Sequence, residues 1–346
     1  MRGLATLAGA SGCSPGRPTH RYVLVTFYCN AQARVGGNEY RGAVTTTDSS
    51  HLSPLLTSPL VSTQWLADHL GSEGLVVLDA TVLPIASPAG AGTAWLSGLD
   101  QYLLAGHVPG AVFADLLDVF SDAEGSFGFA RPSLAQFEEA AASVGVDNDT
   151  SVVVYDSVAG QWAARLWWLF RAFGYDRVAV LDGGFAKWSD EERPTETGNV
   201  LPSSGAVFVG VERPELWASK AEVEAIVAGS TDFPATLVFA GPPTDFTGET
   251  SPRTRAGHIP GSVSVPAGRL ADRSTKALLK GDALREKFVP ALAGDTSRVV
   301  TYCGSGIAAA SAALALTVLG EEQVSVYDGS LNEWAADPEA PLVTTV

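Results

Sequence analysis

The sequence predicts an α/β protein of two tandem units, each a parallel sheet flanked by helices. Three observations carry that reading. The chain has 346 residues, more than a single core usually organises. From Leu60 onward, short β-branched runs alternate with amphipathic stretches, the pattern of a parallel α/β sheet. A set of motifs then occurs twice in the same order. The composition, 46% hydrophobic, 17% charged and 9% aromatic, is that of an ordinary packed protein.

Residues 1–57 come first, rich in Gly, Ser, Thr and Asn and without sustained periodicity, so they read as a tail unable to order itself by burial. Its opening, MRGLATLAGASGC, carries an apolar run ending at Cys13. That run is short and broken by Gly, and Ala10 stands where a lipoprotein signal usually has Leu, so it is read as tail.

The first unit covers residues 58–195. LVVLDA (75–80) and SVVVYD (151–156) read as buried strands. PSLAQFEEAAASVG (132–145) and QWAARLWWLFRAFG (161–174) place apolar residues at helical spacing and end on Gly, a common helix terminator. RVAVLDGG (177–184) is the next strand and turn. Residues 196–212, with Gly, Pro and Ser, read as a partly extended linker to a second unit at 213–346.

That second unit repeats the first. GHVPGAV around His107 answers GHIPGSV around His258; VVVYDSVAG answers VVTYCGSGI, setting Asp156 opposite Cys303; RVAVLDGGFAKW answers QVSVYDGSLNEW, setting Asp182 opposite Asp328. The spacings agree: 49 and 45 residues from histidine to Asp156 or Cys303, then 26 and 25 to the second aspartate. Two such units facing each other create a cleft at their boundary, a usual place for a small-molecule site.

The chemistry points to RVVTYCGSGIAAASAALALTVLG (298–320), a buried strand, a tight glycine loop and an Ala-rich helix. Cys303 ends the strand, where open α/β sheets bind ligands. Gly304 and Gly306 permit a curled loop whose N–H groups point inward, and the helix that follows adds the positive end of its dipole. Such a nest favours a thiolate, the form that attacks sulfur. The first unit has Asp156 in this place, leaving one unit with a nucleophile.

A net charge of −16 argues against nucleic acid or an anionic membrane as partner, and no window approaches the ~20 apolar residues of a membrane span. Cysteines 13, 29 and 303 form no paired framework and no CxxC, which favours a reducing compartment, the cytoplasm. No His, Cys or acid cluster has ligand spacing, so neither metal nor organic cofactor is called for. A phosphatase is disfavoured, because the loop lacks the closing Arg that would hold three phosphate oxygens.

Over residues 60–342 the chain resembles the tandem-domain rhodaneses. The resemblance rests on GHVPGA and GHIPGS, on YDS…RLWWLFRAFGYDRVAVLDGGFAKW and on YCGSGIAA…VYDGSLNEW. The neutral loop CGSGIA is most like CGSGVT of the 3-mercaptopyruvate sulfurtransferases, whereas thiosulfate enzymes usually carry a basic loop of the type CRKGVT. The resemblance implies two rhodanese-like domains and a persulfide on Cys303, with sulfur drawn from 3-mercaptopyruvate and passed to cyanide or to a thiol acceptor such as a thioredoxin-like protein. Thiosulfate as donor, or a non-catalytic sulfur-relay module, are its alternatives.

The same resemblance implies that Ser305 assists proton movement and that Gly304, Gly306 and Ile307 line the substrate. It sets His107 and Asp100 to face the loop from the first domain, with a structural role holding the GHxPG turn as the alternative for His107 and a plain loop carboxylate as the alternative for Asp100. Arg253 stands in the place of a substrate arginine, with Arg255 as its understudy. His258 is expected to hold its turn, and Asp182 and Asp328 to brace theirs. The chain departs from the family where VDAR becomes VFAG, putting Phe239 and Gly241 in place of an acid and an arginine. Asp245 aligns with a second substrate arginine, and Ala308 with the loop threonine.

Overall fold

A computed structural model of the protein describes residues 53–86, 93–230, 234–294 and 298–345. The expected tail, with Cys13 and Cys29, lies outside these apart from its last few residues. Repeat 1 runs β1 (Leu60–Val61), α1 (Thr63–His69), β2 (Leu75–Asp79), β3 (Val82–Ala86), β4 (Thr93–Ser97), α2 (Leu99–Leu104), β5 (Val112–Phe113), α3 (Leu134–Ser143), β6 (Ser151–Tyr155), α4 (Gln161–Ala172), β7 (Val178–Leu181) and α5 (Gly184–Asp190). Repeat 2 runs β8 (Trp217–Ala218), α6 (Lys220–Val227), β9 (Ala235–Phe239), α7 (Pro243–Thr247), β10 (Val263–Ser264), α8 (Gly281–Leu292), β11 (Arg298–Tyr302), α9 (Ile307–Val318), β12 (Val324–Tyr327) and α10 (Ser330–Trp334).

The two five-stranded sheets have one topology. Repeat 1 is ordered β1-β7-β6-β2-β5 and repeat 2 β8-β12-β11-β9-β10, and every pair in both is parallel. The central strands are covered on both faces, which is why β6 is buried throughout and both β6 and β11 are rich in Val. Among the described residues, repeat 1 alone inserts an antiparallel hairpin, β3–β4, after β2. Polar signals set helix starts: capping boxes at Ser133 with Gln136 and at Ser219 with Glu222 open α3 and α6.

Residues Ser50–Val346 form one compact unit. The repeats join where α4 packs on α9. Small side chains on α9 let the large, almost wholly buried side chains of α4, Trp167 and Trp168 among them, come close. The segment read as a linker is extended but strapped to repeat 1. Gly198 N–H donates to Leu103 O, Val211 N–H to Phe173 O and Arg213 N–H to Ala172 O, while Phe208 is buried against Phe137, Phe170 and Tyr175. Its single inward aromatic ties it to that core, a signal that turn composition hides.

Candidate active site at the Cys303 loop

Cys303 lies at the C-terminal end of central strand β11, 3% exposed. Its loop is held from outside by α10. Cys303 N–H donates to Ser330 Oγ (3.1 Å), Cys303 O accepts from Leu331 N–H (3.1 Å), and Gly304 O accepts from Asn332 N–H (2.9 Å). Gly306, the N-cap of α9, takes φ +81°, a conformation that costs a side-chain-bearing residue.

The corresponding loop of repeat 1 shows what such a turn holds. Asp156 stands where Cys303 does, and its Oδ1 accepts from the N–H groups of Val158 (2.9 Å), Ala159 (3.1 Å) and Gly160 (2.9 Å). Its Oδ2 accepts from Trp162 (2.9 Å) and Ala163 (3.0 Å). One carboxylate satisfies five backbone donors, so the turn is an anion nest filled by its own side chain. Leu331 N–H to Cys303 O is matched by Phe185 N–H to Asp156 O. In repeat 2 the corresponding turn carries Cys303 in place of the carboxylate, and a turn of this kind suits a thiolate or a persulfide anion.

Ser330 was not singled out in the sequence. It is fully buried and holds a left-handed conformation, φ +49°, in the place that Gly184, φ +58°, occupies in repeat 1. Strain at a serine where glycine would serve is offset by its hydroxyl, which accepts from Cys303 N–H and donates to Tyr327 O (2.8 Å). The signal was available: DGG in one repeat became DGS in the other.

Arg253 reaches the loop, since a Cβ added at Gly304 would lie 3.3 Å from its Nη1. Its Nη2 is 2.6 Å from Asp245 Oδ2, and both side chains are nearly buried. The cation beside the loop is thus already paired with Asp245. Phe239 and Gly241 are one adaptation, because a Cβ at Gly241 would lie 2.4 Å from Phe239 Cζ. That ring is buried against Phe246 and Tyr302, so this position is apolar core.

Ser305 is half-buried on the loop and Ile307 opens α9. Three expectations are corrected. His107 does not face the loop: it is fully buried, stacked on Tyr102 at 4.0 Å, with Nδ1 3.0 Å from Val108 O and Nε2 3.1 Å from Gly198 O. His258 does the same in repeat 2, stacked on Phe246 with Nδ1 2.6 Å from Phe246 O, so the GHxPG histidine is a brace in both copies. Asp100 is exposed on the first turn of α2, with no hydrogen bond among the described residues, and does not pair with His107. Arg255 gives its Nη1 to Asp337 O and its Nη2 to Ala340 O, which pins the C-terminal segment and removes it from substrate binding.

Asp182 and Asp328 do more than brace turns. Asp328 Oδ2 accepts from Arg131 N–H (2.9 Å) and Asp182 Oδ1 from Leu278 N–H (2.7 Å), so each aspartate clamps its own repeat to the other. Asp328 Oδ1 also lies 2.6 Å from Arg165 Nη1 of repeat 1. Arg165 was likewise missed, hidden in an apolar helical run. A cleft of about 560 Å³ lined by Arg131, Trp217 and Asp328 has no loop residue in its wall. Among the described residues no group of three or more His, Cys, Asp or Glu could hold a metal, and no helix is long and apolar enough to cross a membrane.

The family model described as "Rhodanese-like domain" matches residues 62–191 and 240–337. The chain is 32% identical over 289 residues to the 3-mercaptopyruvate sulfurtransferase of Escherichia coli (strain K12), spanning 83% of this chain and 98% of that protein. It is 37% identical over 244 residues to the putative thiosulfate sulfurtransferase SseB of Mycobacterium tuberculosis (strain ATCC 25618 / H37Rv), spanning 69% of this chain and 84% of that protein. The crystal structure of SseA from Escherichia coli, a 3-mercaptopyruvate sulfotransferase, superposes with a TM-score of 0.66 at 31% identity, over 79% of this chain and 99% of that one.

Proposed function

The chain belongs to the rhodanese family as a tandem-domain sulfurtransferase, and from that premise we propose that it carries sulfur on Cys303, taken from 3-mercaptopyruvate. The observation that carries this reading is the turn at Cys303, whose counterpart in repeat 1 is an anion nest binding a carboxylate through five N–H groups. The Cys303 thiolate attacks the donor sulfur. The new S–S bond forms as the C–S bond breaks, and the electron pair goes to carbon as the enolate of pyruvate, which takes up a proton. An acceptor thiolate, as on a thioredoxin-like protein, or cyanide, then attacks the outer sulfur and returns the Cys303 thiolate. In this reading Ser305, Gly304, Gly306 and Ile307, which follow Cys303 in the loop and the first turn of α9, line the reacting sulfur, and the Ser305 hydroxyl moves the proton. The cysteine usage favours a reducing compartment such as the cytoplasm.

Donor choice follows from the mouth. Thiosulfate is a dianion that profits from free cations, and here the one arginine beside Gly304 is already neutralised by Asp245. Mercaptopyruvate has a single carboxylate, which Arg253 can take once it leaves Asp245. Relatives named for each donor make the comparison necessary. We expect a higher kcat/KM for mercaptopyruvate, with a high KM set by the competition from Asp245. Arg253→Ala should lower kcat/KM for mercaptopyruvate by roughly tenfold to a hundredfold, the worth of one charge-assisted contact, and Asp245→Asn should lower its KM. A native preference for thiosulfate, or mercaptopyruvate turnover indifferent to both changes, overturns the donor assignment.

A further inference from the structure

We propose that Arg165, supplied by the repeat without a nucleophile, is a positioning residue that neutralises Asp328 at the Cys303 loop and keeps the field of a bare carboxylate off the sulfur. The inference rests on the reading of Cys303 as the sulfur carrier.

Asp328 follows β12, the neighbour of the strand that bears Cys303. It touches the loop directly: a Cβ at Gly306 would lie 3.0 Å from both Asp328 O and Oδ1, and 3.2 Å from Arg165 Nη1. Gly306 therefore rests on a carboxylate from its own repeat and a guanidinium from the other. The Arg165 side chain is 1% exposed and that of Asp328 11%, so solvent screens the pair weakly. Arg165 Nη2 donates to Phe129 O (2.8 Å), which anchors the guanidinium to repeat 1, while Nε, Nη1 and Asp328 Oδ1 are buried outside hydrogen-bond geometry among the described residues, so the Nη1–Oδ1 contact of 2.6 Å acts as an ion pair.

The arrangement is one-sided. In repeat 1 the corresponding aspartate, Asp182, meets Lys280, whose side chain is 75% exposed, at 3.2 Å. The fifth residue of α9, in the place of Arg165 on α4, is Ser311. A buried cation thus accompanies the clamp aspartate on the side where the loop holds a thiol, and not where it holds Asp156. The clamp itself explains why Asp328 is needed, since its Oδ2 ties Arg131 N–H across the repeats. Its charge is a by-product that opposes a thiolate, and Arg165 removes it.

The other charged groups around the loop are accounted for. Arg253 beside Gly304 is paired with Asp245. Glu333 of α10 lies against Gly329, and the Arg131 guanidinium stacks over Trp217 at 5.2 Å. None of them reaches Asp328 with a cation.

The test is the pH dependence of Cys303 alkylation by iodoacetamide, read on the Cys303 peptide by mass spectrometry in the full chain, with thermal stability followed in parallel. Arg165→Gln should move the half-maximal pH upward by roughly one unit, the effect of one nearby unpaired charge. Asp328→Asn, which leaves Arg165 unpaired, should move it downward. The double change should return it to within a few tenths of the native value although stability stays low, and Arg165→Lys should keep it. A purely structural pair would lower stability in all of these without shifts of opposite sign. If Arg165→Gln does not fold, Asp328→Asn decides alone: a downward shift supports the proposal, and no shift or an upward one overturns it. Alkylation is read without turnover, so failure of Cys303 as sulfur carrier, seen as transfer persisting in Cys303→Ser, stays distinct from failure of this inference.

Discussion

Asp79 ends β2 with its carboxyl 2% exposed, accepting the N–H of Thr81 at 2.9 Å. Burial is the main cause that pushes its pKa up to about 6 from 3.8, against the hydrogen bonds from Thr81 and Tyr155, and the Asp156 carboxylate adds to the rise. The folded state therefore favours the neutral acid. Its cost to stability is absent below pH about 4, grows as pH rises from 4 to 6, and is complete above that. Two pKa units correspond to about 3 kcal/mol. Asp79→Asn should accordingly raise the melting temperature at pH 8, and the gain should shrink to nothing as pH falls to 4. An equal gain at both pH values would show that charge burial is not the cause. The position corresponding to Asp79 in repeat 2 is Phe239, so the catalytic repeat has shed this burden. The same scale holds the misread residues. His107 is polar and recurs in a motif, which signals chemistry as readily as bracing; only its stacking on Tyr102 and its carbonyl neighbours decide for the brace.

Strand, loop and helix around Cys303 were legible because their causes are local. A Val-rich run gives β11, glycines give the turn, and an alanine run gives α9. What closes the loop comes from elements distant in sequence. Ser330 and Asn332 come from α10, Arg253 from the turn after α7, and Arg165 from the other repeat, and no periodicity encodes such meetings. Gly306 shows the limit well. The glycine was expected from the turn, but not the crowding by Asp328 and Arg165, which would hold a side chain at 3.0–3.2 Å. Gly306→Ala should cost about 1–2 kcal/mol from its left-handed backbone, with more from the contact with Asp328. Activity should fall further than stability does, because the loop N–H groups turn with it. Chemical denaturation beside turnover measures both; an alanine variant of native stability and activity would contradict this account of the junction.

Duplication explains the whole molecule. Two sheets of one topology face each other through α4 and α9, with matched clamps at Asp182 and Asp328, and the copies have divided the work. Repeat 1 keeps the nest but fills it with Asp156, and contributes Arg165. Repeat 2 empties the nest for a sulfur atom. The repeat and its two domains could be read from motif order, whereas the strapping of residues 196–212 onto repeat 1 could not, since it depends on the burial of Phe208. The central claim is that the nest at Cys303 holds the transferred sulfur. It is tested most directly by exposing the native protein and Cys303→Ser to mercaptopyruvate without acceptor, then measuring by mass spectrometry which cysteine gains sulfur. The account predicts one added sulfur atom on the Cys303 peptide, none on Cys13 or Cys29, and none anywhere in Cys303→Ser. Sulfur on either of the other cysteines, or turnover that survives the loss of Cys303, would contradict it.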